Sequence, residues 1–542
     1  MARRGAACHY YEKGEKILQA VDNVQVVLAM VIYMLIVIGI GFFYARRAGE
    51  STANFLIGGR KIGPWITALG AEASDMSGWL LMGLPGVAYF FGLAEAIWTA
   101  IGLLIGTYLN WLFVAKRLRS YSVVAGNAIT IPDFFSNRFK EEKKVVMAIV
   151  ALFILVFFTV YASSCLVAMG KLFSSLFGVN YQLMMILGAV FVLFYTFIGG
   201  FLAESASDFM QGTVMIVALV VVFLTGTSLA GGVDAIVENI KDFPGFLEFF
   251  GLAQPVMEDG VQVVADNKPL FGAAGSYGFL AVISTLAWGL GYFGMPQVLL
   301  KFMAIRDPNE LTLSRRVATI WCAISLAAAV GIGLMGRALY PTVFLTPSSA
   351  ENIFILLSTK FFPPFLAGLV MSGILAATIS SSDSYLLIAA SAFSKSLYHG
   401  IFKKDASDRV VLYMTRIALL VIAAIAMIIA LDENSIIFRI VSFAWAGFGA
   451  TFGPLMLFSL FWKRLNRAGA IAGMVTGGGM VFFWKLVLNP LGGVWAIYEL
   501  LPAFVASCLA IVIVTLLTEE PSAEIQEEFE RSIAYVKEGQ LT

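Results

Sequence analysis

Residues 73–86 read ASDMSGWLLMGLPG, a polar and glycine-rich stretch in the middle of an apolar run that extends over residues 65–91. Glycine and proline weaken the hydrogen-bond ladder of a helix, and an ionised carboxylate at the centre of a membrane span costs at least about 2.5 kcal/mol. Asp75 is therefore a candidate functional residue, although an ion pair that only stabilises the helix bundle would also explain it. The pattern predicts a membrane-spanning helix whose backbone opens near Asp75.

A second interrupted run lies at residues 277–300, where residues 288–296 read WGLGYFGMP. Breaks at matching places in two halves of a membrane protein are typical of transporters built from inverted repeats. Opened amides and half-helix amino termini can bind a carboxylate, and opened carbonyls can bind a cation. The alternative is that these glycines only allow helices to pack closely, which is the role we expect for Gly102 and Gly106.

The composition argues against most other classes of protein. Of the 542 residues, 59% are hydrophobic and only 13% are charged, whereas a soluble domain carries about 25% charged residues. The formal net charge of +1 gives no field that would favour nucleic acid. Four cysteines without metal or redox spacing and two histidines argue against a transition-metal site. We find no His-Glu-x-x-His, Gly-x-Ser-x-Gly or Walker motif that would predict an enzyme, and no repeated pore loop that would predict a channel.

The apolar residues occur in separate runs of about twenty residues, the length that crosses about 30 Å of hydrocarbon. Because backbone groups in lipid must be satisfied within the segment, each run is predicted to be helical. We predict thirteen membrane-spanning segments, numbered 1 to 13 along the chain: 24–45, 65–91, 93–115, 145–169, 181–199, 208–230, 277–300, 317–340, 364–394, 409–430, 436–461, 468–488 and 496–517.

Lys and Arg residues concentrate in alternate loops, which predicts the orientation of the chain. With the amino terminus outside, the inner loops hold 22 of them and the outer loops with their margins hold 6. We therefore predict a multi-pass protein of the inner cell membrane with a cytoplasmic carboxyl terminus. Its predicted parts are an outer tail 1–23, an extra helix 24–45, a five-helix repeat 65–230, an external loop 231–276, a second five-helix repeat 277–461, two extra helices 468–517 and a cytoplasmic tail 518–542.

Segment 9 contains residues 377–383, which read ATISSSD. Ser and Thr hydroxyls can bond back to the preceding helical turn, but hydroxyl and carbonyl oxygens are also suited to a hard cation. The Ala377 carbonyl and the Ser381 hydroxyl are one turn apart and can face the same neighbour. Two opened carbonyls of segment 2 would complete an oxygen cage there. Asp208 opens segment 6, where it either caps the helix or lies on the route of an ion.

Residues 73–86, 288–296 and 373–377 carry a resemblance to a known family. The chain resembles the sodium/solute symporter family, and within it the sodium/proline symporter branch, over about residues 24–517. The resemblance implies an all-α integral membrane protein of the leucine-transporter type, with a five-plus-five inverted repeat and about 13 transmembrane helices. It also implies secondary active transport by alternating access, with Na⁺ as the coupling ion, L-proline as the solute and no cofactor.

The resemblance also implies roles for particular residues. The implied sodium ligands are three backbone carbonyls and two hydroxyls, those of Ala73, Met76, Ala377, Ser380 and Ser381. The residues implied to influence ion coupling or the inner ion path are Asp75, Arg60 and Asp208. The residues implied to contact the solute are Ser77, Gly78, Tyr161, Trp288, Tyr292 and Pro296.

The chemistry of proline is compatible with this set of residues. Its carboxylate suits opened amides near Ser77 and Gly78, and aromatic faces can hold its ring and its secondary ammonium. Trp288 and Tyr292 could instead be interfacial anchors. Another amino acid, pantothenate, a sugar or a sialic acid remains an alternative solute, although a small and aromatic lining offers few partners to sugar hydroxyls. Met295 differs from the polar residue that is common at this place in the branch.

Overall fold

The computed structural model describes residues 23–48 and 51–538. Residues 1–22 of the predicted outer tail 1–23 lie outside these described residues. The last four residues of the predicted tail 518–542 also lie outside them. Within the described residues the chain is almost entirely helical, and six strands of two residues each lie in the loop at residues 231–276.

The helices of the thirteen segments have bounds close to those predicted. Segments 1 to 6 comprise Asn23–Ala48; Pro64–Asp75 with Trp79–Gly83 and Leu84–Phe91; Leu93–Leu109 with Asn110–Val114 and Ala115–Val124; Val145–Phe177; and Tyr181–Leu229, which holds segments 5 and 6. Segments 7 to 13 comprise Phe279–Leu286 with Ala287–Gly294 and Pro296–Ala304; Leu311–Leu339; Pro364–Ser391 with Ala392–Phe402; Asp408–Ile429; Ile437–Phe461; Arg467–Phe483 with Trp484–Leu488; and Leu500–Leu517. The shorter helices between and after them are Thr52–Ile57, Gly58–Arg60, Ile131–Arg138, Val233–Ile240, Pro308–Glu310, Pro347–Ala350, Ile353–Phe361, Asn489–Leu491, Gly493–Ala496 and Ala523–Glu538.

Ten helices in the described part of the chain are long and apolar enough to cross a bilayer, and segment 7 adds a pair of helices bent by 42°. Segments 2 and 5 contain the shorter apolar helices Trp79–Phe91 and Tyr181–Phe197. Each of the thirteen predicted segments therefore coincides with one helix, part of a helix or a series of two or three consecutive helices.

The boundary between segments 5 and 6 differs from the prediction. We expected a polar loop at residues 200–207, but the helix continues through it with a kink at Gly200, where φ is 54° and ψ is −164°. The polar side chains of Glu204 and Ser205 are buried there, because segments distant in the sequence supply their partners. Asp208 consequently lies two turns inside the helix, and the expectation that it caps a helix is wrong.

The loop at residues 231–276 folds into one helix and three antiparallel strand pairs, of which two are hairpins and the third joins its first and last strands. The pairs are β1 (Gly251–Leu252) with β6 (Gly275–Ser276), β2 (Met257–Glu258) with β3 (Val261–Gln262), and β4 (Val264–Ala265) with β5 (Lys268–Pro269). The buried Gln262 ties this loop to segment 8, because its Oε1 accepts a hydrogen bond of 2.5 Å from the Arg337 guanidinium.

The carboxyl-terminal helix Ala523–Glu538 packs on the end of segment 3. Its carboxylates pair with Lys140 of the loop that follows segment 3, at 3.0 Å to Glu524 and 2.8 Å to Glu528. The hydrogen bond to Glu528 raises the pKa of Lys140. The predicted tail therefore contains a helix that is docked on the bundle by charge.

The centre of the bundle is formed by segments 9 and 11, which are the most completely buried of the ten long spans in the described chain. Segment 9 packs against segments 1, 4 and 6, and segment 11 packs against the tightened turn of segment 7. Both also contact segment 2. The two interrupted segments therefore lie against the most buried helices, away from lipid.

Candidate functional site

The backbone of segment 2 opens directly after Asp75. The helix ends there because Met76 leaves the helical region, with φ −84° and ψ 76°, and helical structure resumes at Trp79. The Ser77 amide donates to the Asp75 carbonyl at 3.0 Å instead of to the Ala73 carbonyl four residues earlier. The predicted opening of segment 2 is confirmed, and it leaves the Ala73 carbonyl without a helical partner.

The freed carbonyl of Ala73 meets two hydroxyls of segment 9. The Ser380 hydroxyl contacts the Ala73 carbonyl at 2.7 Å and the Ala377 carbonyl at 3.2 Å. The Ser381 hydroxyl contacts the Ala73 carbonyl at 3.3 Å. The structure thus brings together four of the five residues predicted to hold sodium. The fifth, Met76, is buried and is the first residue of the opened turn. All the oxygens offered here are uncharged carbonyls and hydroxyls, which suit a hard monovalent cation.

Asp75 lies between the two interrupted segments. Its main-chain carbonyl accepts hydrogen bonds from the Tyr161 hydroxyl at 3.2 Å and the Tyr385 hydroxyl at 3.3 Å. Its side chain turns toward segment 7, where Oδ1 accepts from the Gln297 amide at 3.0 Å. Asp75 therefore connects the broken segments 2 and 7 through its side chain, while its backbone contacts segments 4 and 9.

Segment 7 is interrupted by a tight turn and a bend. Residues Ala287–Gly294 form a 3₁₀ helix, Met295 is extended with φ −76° and ψ 108°, and an α-helix resumes at Pro296. Side chains of other segments donate hydrogen bonds to backbone carbonyls in this stretch. The Trp445 indole donates to the Trp288 carbonyl at 2.8 Å, and the Asn110 amide donates to the Tyr292 carbonyl at 3.0 Å. The predicted break in segment 7 is confirmed.

Close helix packing also accounts for three glycines of segment 7. A Cβ on Gly289 would overlap the backbone of Gly102, and a Cβ on Gly106 would overlap the backbone of Gly289. A Cβ on Gly291 would overlap the Trp445 indole, and one on Gly294 would overlap the backbone of segment 11. The alternative that we left open for these glycines therefore holds alongside the break.

All six residues predicted to contact the solute lie at or beside the two breaks, and Pro296 directly follows the break in segment 7. The Ser77 hydroxyl is buried without a hydrogen-bond partner, and a Cβ on Gly78 would lie 2.7 Å from the Ala168 side chain. Tyr161 stacks on Tyr385 with ring centroids 4.2 Å apart. The structure therefore surrounds the opened turn of segment 2 with small residues and aromatic rings.

The aromatic residues of segment 7 continue this lining toward one side of the membrane. Tyr292 meets Trp445 edge to face at 5.0 Å, and Trp288 stacks on Tyr498 at 5.1 Å and lies 5.2 Å from Phe438. Trp288 also lines a cavity of about 540 Å³ that reaches the first residues of segments 7, 11 and 13. Because both rings are buried in the bundle, the alternative that they are interfacial anchors is wrong.

Pro296 lies four residues after Tyr292, at the bend of segment 7. It lines a separate, small cavity together with Leu56, Leu300 and Ser391. Its fixed φ suits the first turn of a helix, and it begins the helix Pro296–Ala304 that follows the break in segment 7. The structure therefore shows Pro296 at the bend rather than at the opened turn of segment 2.

Arg60 lies at the end of segment 2 away from the break. Its guanidinium donates to the carbonyls of Met303 and Ala128, the latter at 2.6 Å, and to the side chains of Asn127 and Ser122, both at 3.1 Å. Burial, with a smaller contribution from the charge of Arg119, lowers the pKa of Arg60 to about 10. Arg60 therefore fastens together the ends of segments 2, 3 and 7 and does not touch Asp75.

Asp208 belongs to a buried cluster that the sequence did not reveal. Its Oδ2 is 2.8 Å from the Lys301 ammonium, which also contacts Glu204 at 2.9 Å. The Ser384 hydroxyl donates to Glu204 at 2.6 Å. Lys301 lies just beyond the predicted end of segment 7 at residue 300, but it is buried, because the helix extends to Ala304.

A second buried ion pair lies near the opposite ends of the helices. The Lys171 ammonium of segment 4 is 2.7 Å from Glu351, whose carboxylate accepts from the Ile437 and Phe438 amides at 3.1 Å each. The same ammonium donates to the Ser435 carbonyl at 2.7 Å. Sequence reasoning missed this contact, although a lysine so close to an apolar run is a usable signal.

Residues 55–477 of the chain match the sequence profile of the sodium:solute symporter family. The chain is 39% identical to the sodium/proline symporter of Staphylococcus aureus strain USA300 over 532 residues, which cover 97% of this chain and 99% of that protein. The corresponding protein of strain NCTC 8325 gives the same identity and coverage.

Two solved structures share the fold. A Na⁺-coupled sialic acid symporter in a substrate-bound outward-open state superposes with a TM-score of 0.73 at 16% identity, over 92% of this chain and 99% of that one. A nucleobase-cation-symport-1 family transporter, closed with bromovinylhydantoin bound, gives a TM-score of 0.50 at 12% identity, over 89% of this chain and 99% of that one. These matches confirm the predicted all-α fold of the leucine-transporter type, and the residues at which its two repeats divide stay a prediction.

Proposed function

Because the chain belongs to the sodium:solute symporter family, we propose that it takes up L-proline together with Na⁺ across the cell membrane by alternating access. The observation that carries this proposal is the opened turn of segment 2, where the Ala73 carbonyl lies 2.7 Å and 3.3 Å from the hydroxyls of Ser380 and Ser381. The nearly full-length similarity to sodium/proline symporters supports the choice of solute.

Sodium would bind where segment 2 opens against segment 9. Its ligands would be the carbonyls and hydroxyls of Ala73, Met76, Ala377, Ser380 and Ser381. Asp75 would influence sodium binding from the adjacent turn, since its carboxylate lies on the same opened backbone. Arg60 would act indirectly, by holding the inner ends of three segments, and Asp208 would act through the buried ion pair with Lys301.

Proline would bind on the other side of the same turn. The amides near Ser77 and Gly78 begin the outer helix of segment 2, and helix amino termini attract carboxylates. The faces of Tyr161, Trp288 and Tyr292 would hold the ring and the secondary ammonium. Pro296 would serve as the hinge of segment 7, in keeping with its place at the bend.

The shared turn explains how the two ligands would be coupled. Each ligand favours the arrangement of segment 2 that binds the other, a reciprocal linkage. One Na⁺ moving through about 100 mV releases about 2.3 kcal/mol, and a tenfold sodium gradient adds about 1.4 kcal/mol. Together they would sustain a proline gradient of several hundredfold.

The orientation in the membrane belongs to the same proposal. We infer an extracytoplasmic amino terminus and a cytoplasmic carboxyl terminus from the excess of Lys and Arg in one set of loops. The two five-helix repeats would be residues 65–230 and 277–461, with residues 24–45 and 468–517 as extra helices. The Lys140 contacts of the carboxyl-terminal helix then lie in the cytoplasm.

Uptake of radiolabelled L-proline into proteoliposomes, with and without an imposed sodium gradient, tests the proposal. We expect accumulation above the external concentration only with the gradient. Competition by unlabelled amino acids, pantothenate, sugars and sialic acid identifies the solute. Equal uptake with and without the gradient would disprove sodium coupling. If one of the other solutes inhibits the uptake of labelled proline more strongly than unlabelled proline does, proline is not the preferred solute.

A further inference from the structure

A second group of buried oxygens lies on the face of segment 2 that points away from Ser380 and Ser381. Glu72 and Asp75 are three residues apart, so their side chains share one face of the helix. That face meets Trp111 of segment 3 and Gln297 of segment 7, and Asn110, the residue before Trp111, contacts segment 7 at the Tyr292 carbonyl. Glu72 is 2% exposed, Asp75 and Asn110 are 0% exposed and Gln297 is 1% exposed.

Each side chain in this group has one oxygen without a hydrogen-bond partner. The unpartnered atoms are Glu72 Oε2, Asp75 Oδ2, Asn110 Oδ1 and Gln297 Oε1. All four are acceptors, and the amide nitrogens of Gln297 and Asn110 already donate to other groups. The Gln297 amide nitrogen donates to Asp75 Oδ1 at 3.0 Å, and the Asn110 amide nitrogen donates to the Tyr292 carbonyl at 3.0 Å.

The charges of the two carboxylates are also uncompensated. Glu72 Oε1 receives only the Trp111 indole at 3.4 Å, and the Tyr292 phenol lies beside the Asp75 carboxyl without forming a well-aligned hydrogen bond. Within the described residues neither carboxylate forms an ion pair with a cationic side chain, and each has one oxygen without a partner. The nearest buried ammonium in segment 7, that of Lys301, is taken by Glu204 and Asp208.

Buried acceptor oxygens around two uncompensated carboxylates are the donor set of a cation. Four protein oxygens fall short of the six to eight that Ca²⁺ takes, and burial leaves little access for the several waters that Mg²⁺ retains. A monovalent cation fits both constraints.

We propose that Glu72, Asp75, Asn110 and Gln297 form a second site for a monovalent cation, separate from the site of carbonyls and hydroxyls formed with segment 9. This proposal rests on the proposed function only in naming Na⁺ as the cation. A cation there would bind segments 2, 3 and 7 together across both breaks, so its occupancy favours one arrangement of the two interrupted segments.

Direct binding of ²²Na⁺ to the purified full-length protein, measured by scintillation proximity without proline, tests the proposal. Omitting proline keeps the ammonium of the solute from occupying the group. We expect two Na⁺ per chain for the unaltered protein and one for Glu72→Gln, which keeps an acceptor for Trp111 and removes the charge. Gln297→Met, which removes the amide oxygen at similar volume, should weaken one of the two sites at least tenfold.

A matched control is available in Glu499→Gln. Glu499 is also a buried acid, but it is paired with Lys485 at 3.5 Å, and we expect this variant to retain two Na⁺. Monodispersity and thermal unfolding of each variant show that the protein is folded. One Na⁺ per chain in the unaltered protein, or two in Glu72→Gln, overturns the proposal, as does displacement of ²²Na⁺ by micromolar Ca²⁺. If the unaltered protein shows no sodium-driven uptake, the proposed function is refuted instead, so the two failures are distinguishable.

Discussion

Replacing Ser380 by alanine removes the hydroxyl that lies closest to the opened turn of segment 2. In the structure its Oγ contacts the Ala73 carbonyl at 2.7 Å and the Ala377 carbonyl at 3.2 Å, so it is central to the proposed oxygen cage. A hydrogen bond to a charged group contributes about 1.5–3 kcal/mol, and we take the same range for one hydroxyl ligand of Na⁺. At about 1.4 kcal/mol per tenfold, the sodium concentration for half-maximal uptake should rise about 10- to 150-fold in Ser380→Ala.

Ser382→Ala is the matched control for this prediction. Its hydroxyl lies in the same helix and is equally buried, but it donates back to the Thr378 carbonyl one turn earlier. Losing such a bond costs about 0.5–1.5 kcal/mol of stability and removes no ligand. We therefore expect the sodium dependence of Ser382→Ala to stay within about threefold of the unaltered protein.

The assay is the initial rate of labelled proline uptake at a series of sodium concentrations, at fixed membrane potential and with protein abundance measured in parallel. The reasoning is refuted if Ser380→Ala keeps the half-maximal sodium concentration of the unaltered protein. It is equally refuted if Ser382→Ala shifts that concentration as much as Ser380→Ala does, because the effect would then belong to the helix as a whole.

Two further predictions concern contacts away from the opened turn. Glu351→Gln leaves the buried Lys171 ammonium without its carboxylate partner, which should lower the folding stability by about 3–5 kcal/mol and uptake at least tenfold. Adding Lys171→Met should recover part of the thermal stability. No recovery would contradict the pairing. Gly106→Ala places a Cβ against the backbone of Gly289, so the yield of folded protein and its unfolding temperature in detergent should both fall. Gly479→Ala, at a position with nothing within 4 Å of the added Cβ, should leave both unchanged, and equal behaviour of the two variants would argue against tight packing of segments 3 and 7.

Several features of the fold were predictable because they depend on neighbours in the sequence. The spans follow from the length of each apolar run, since lipid supplies no hydrogen-bond partner to the backbone. The opening after Asp75 and the bend before Pro296 follow from glycine, proline and polar residues within such runs. The approach of Ser380 and Ser381 to segment 2 was expected from the resemblance to a known family, and their hydroxyl contacts with Ala73 agree with it.

Polar groups inside the membrane were the least predictable, because a partner distant in the sequence decides whether such a group can be buried. The stretch at residues 200–207 looked like a loop, but it is helical because Lys301, 97 residues along the chain from Glu204, compensates its charge. The Lys171–Glu351 pair spans 180 residues. The local sequence around either partner does not predict such a pairing.

The sequence by itself thus determined which residues cross the membrane and where two of the crossing helices open. Only the tertiary structure decided which oxygens surround each opening. It turned the Ala73 carbonyl toward segment 9 and the Glu72 and Asp75 carboxylates toward segments 3 and 7, and it placed Pro296 at the bend of segment 7. The physical reason is that helix breaks arise from short-range backbone chemistry, whereas coordination depends on side chains that only the packing of the whole bundle brings within about 3 Å of one another.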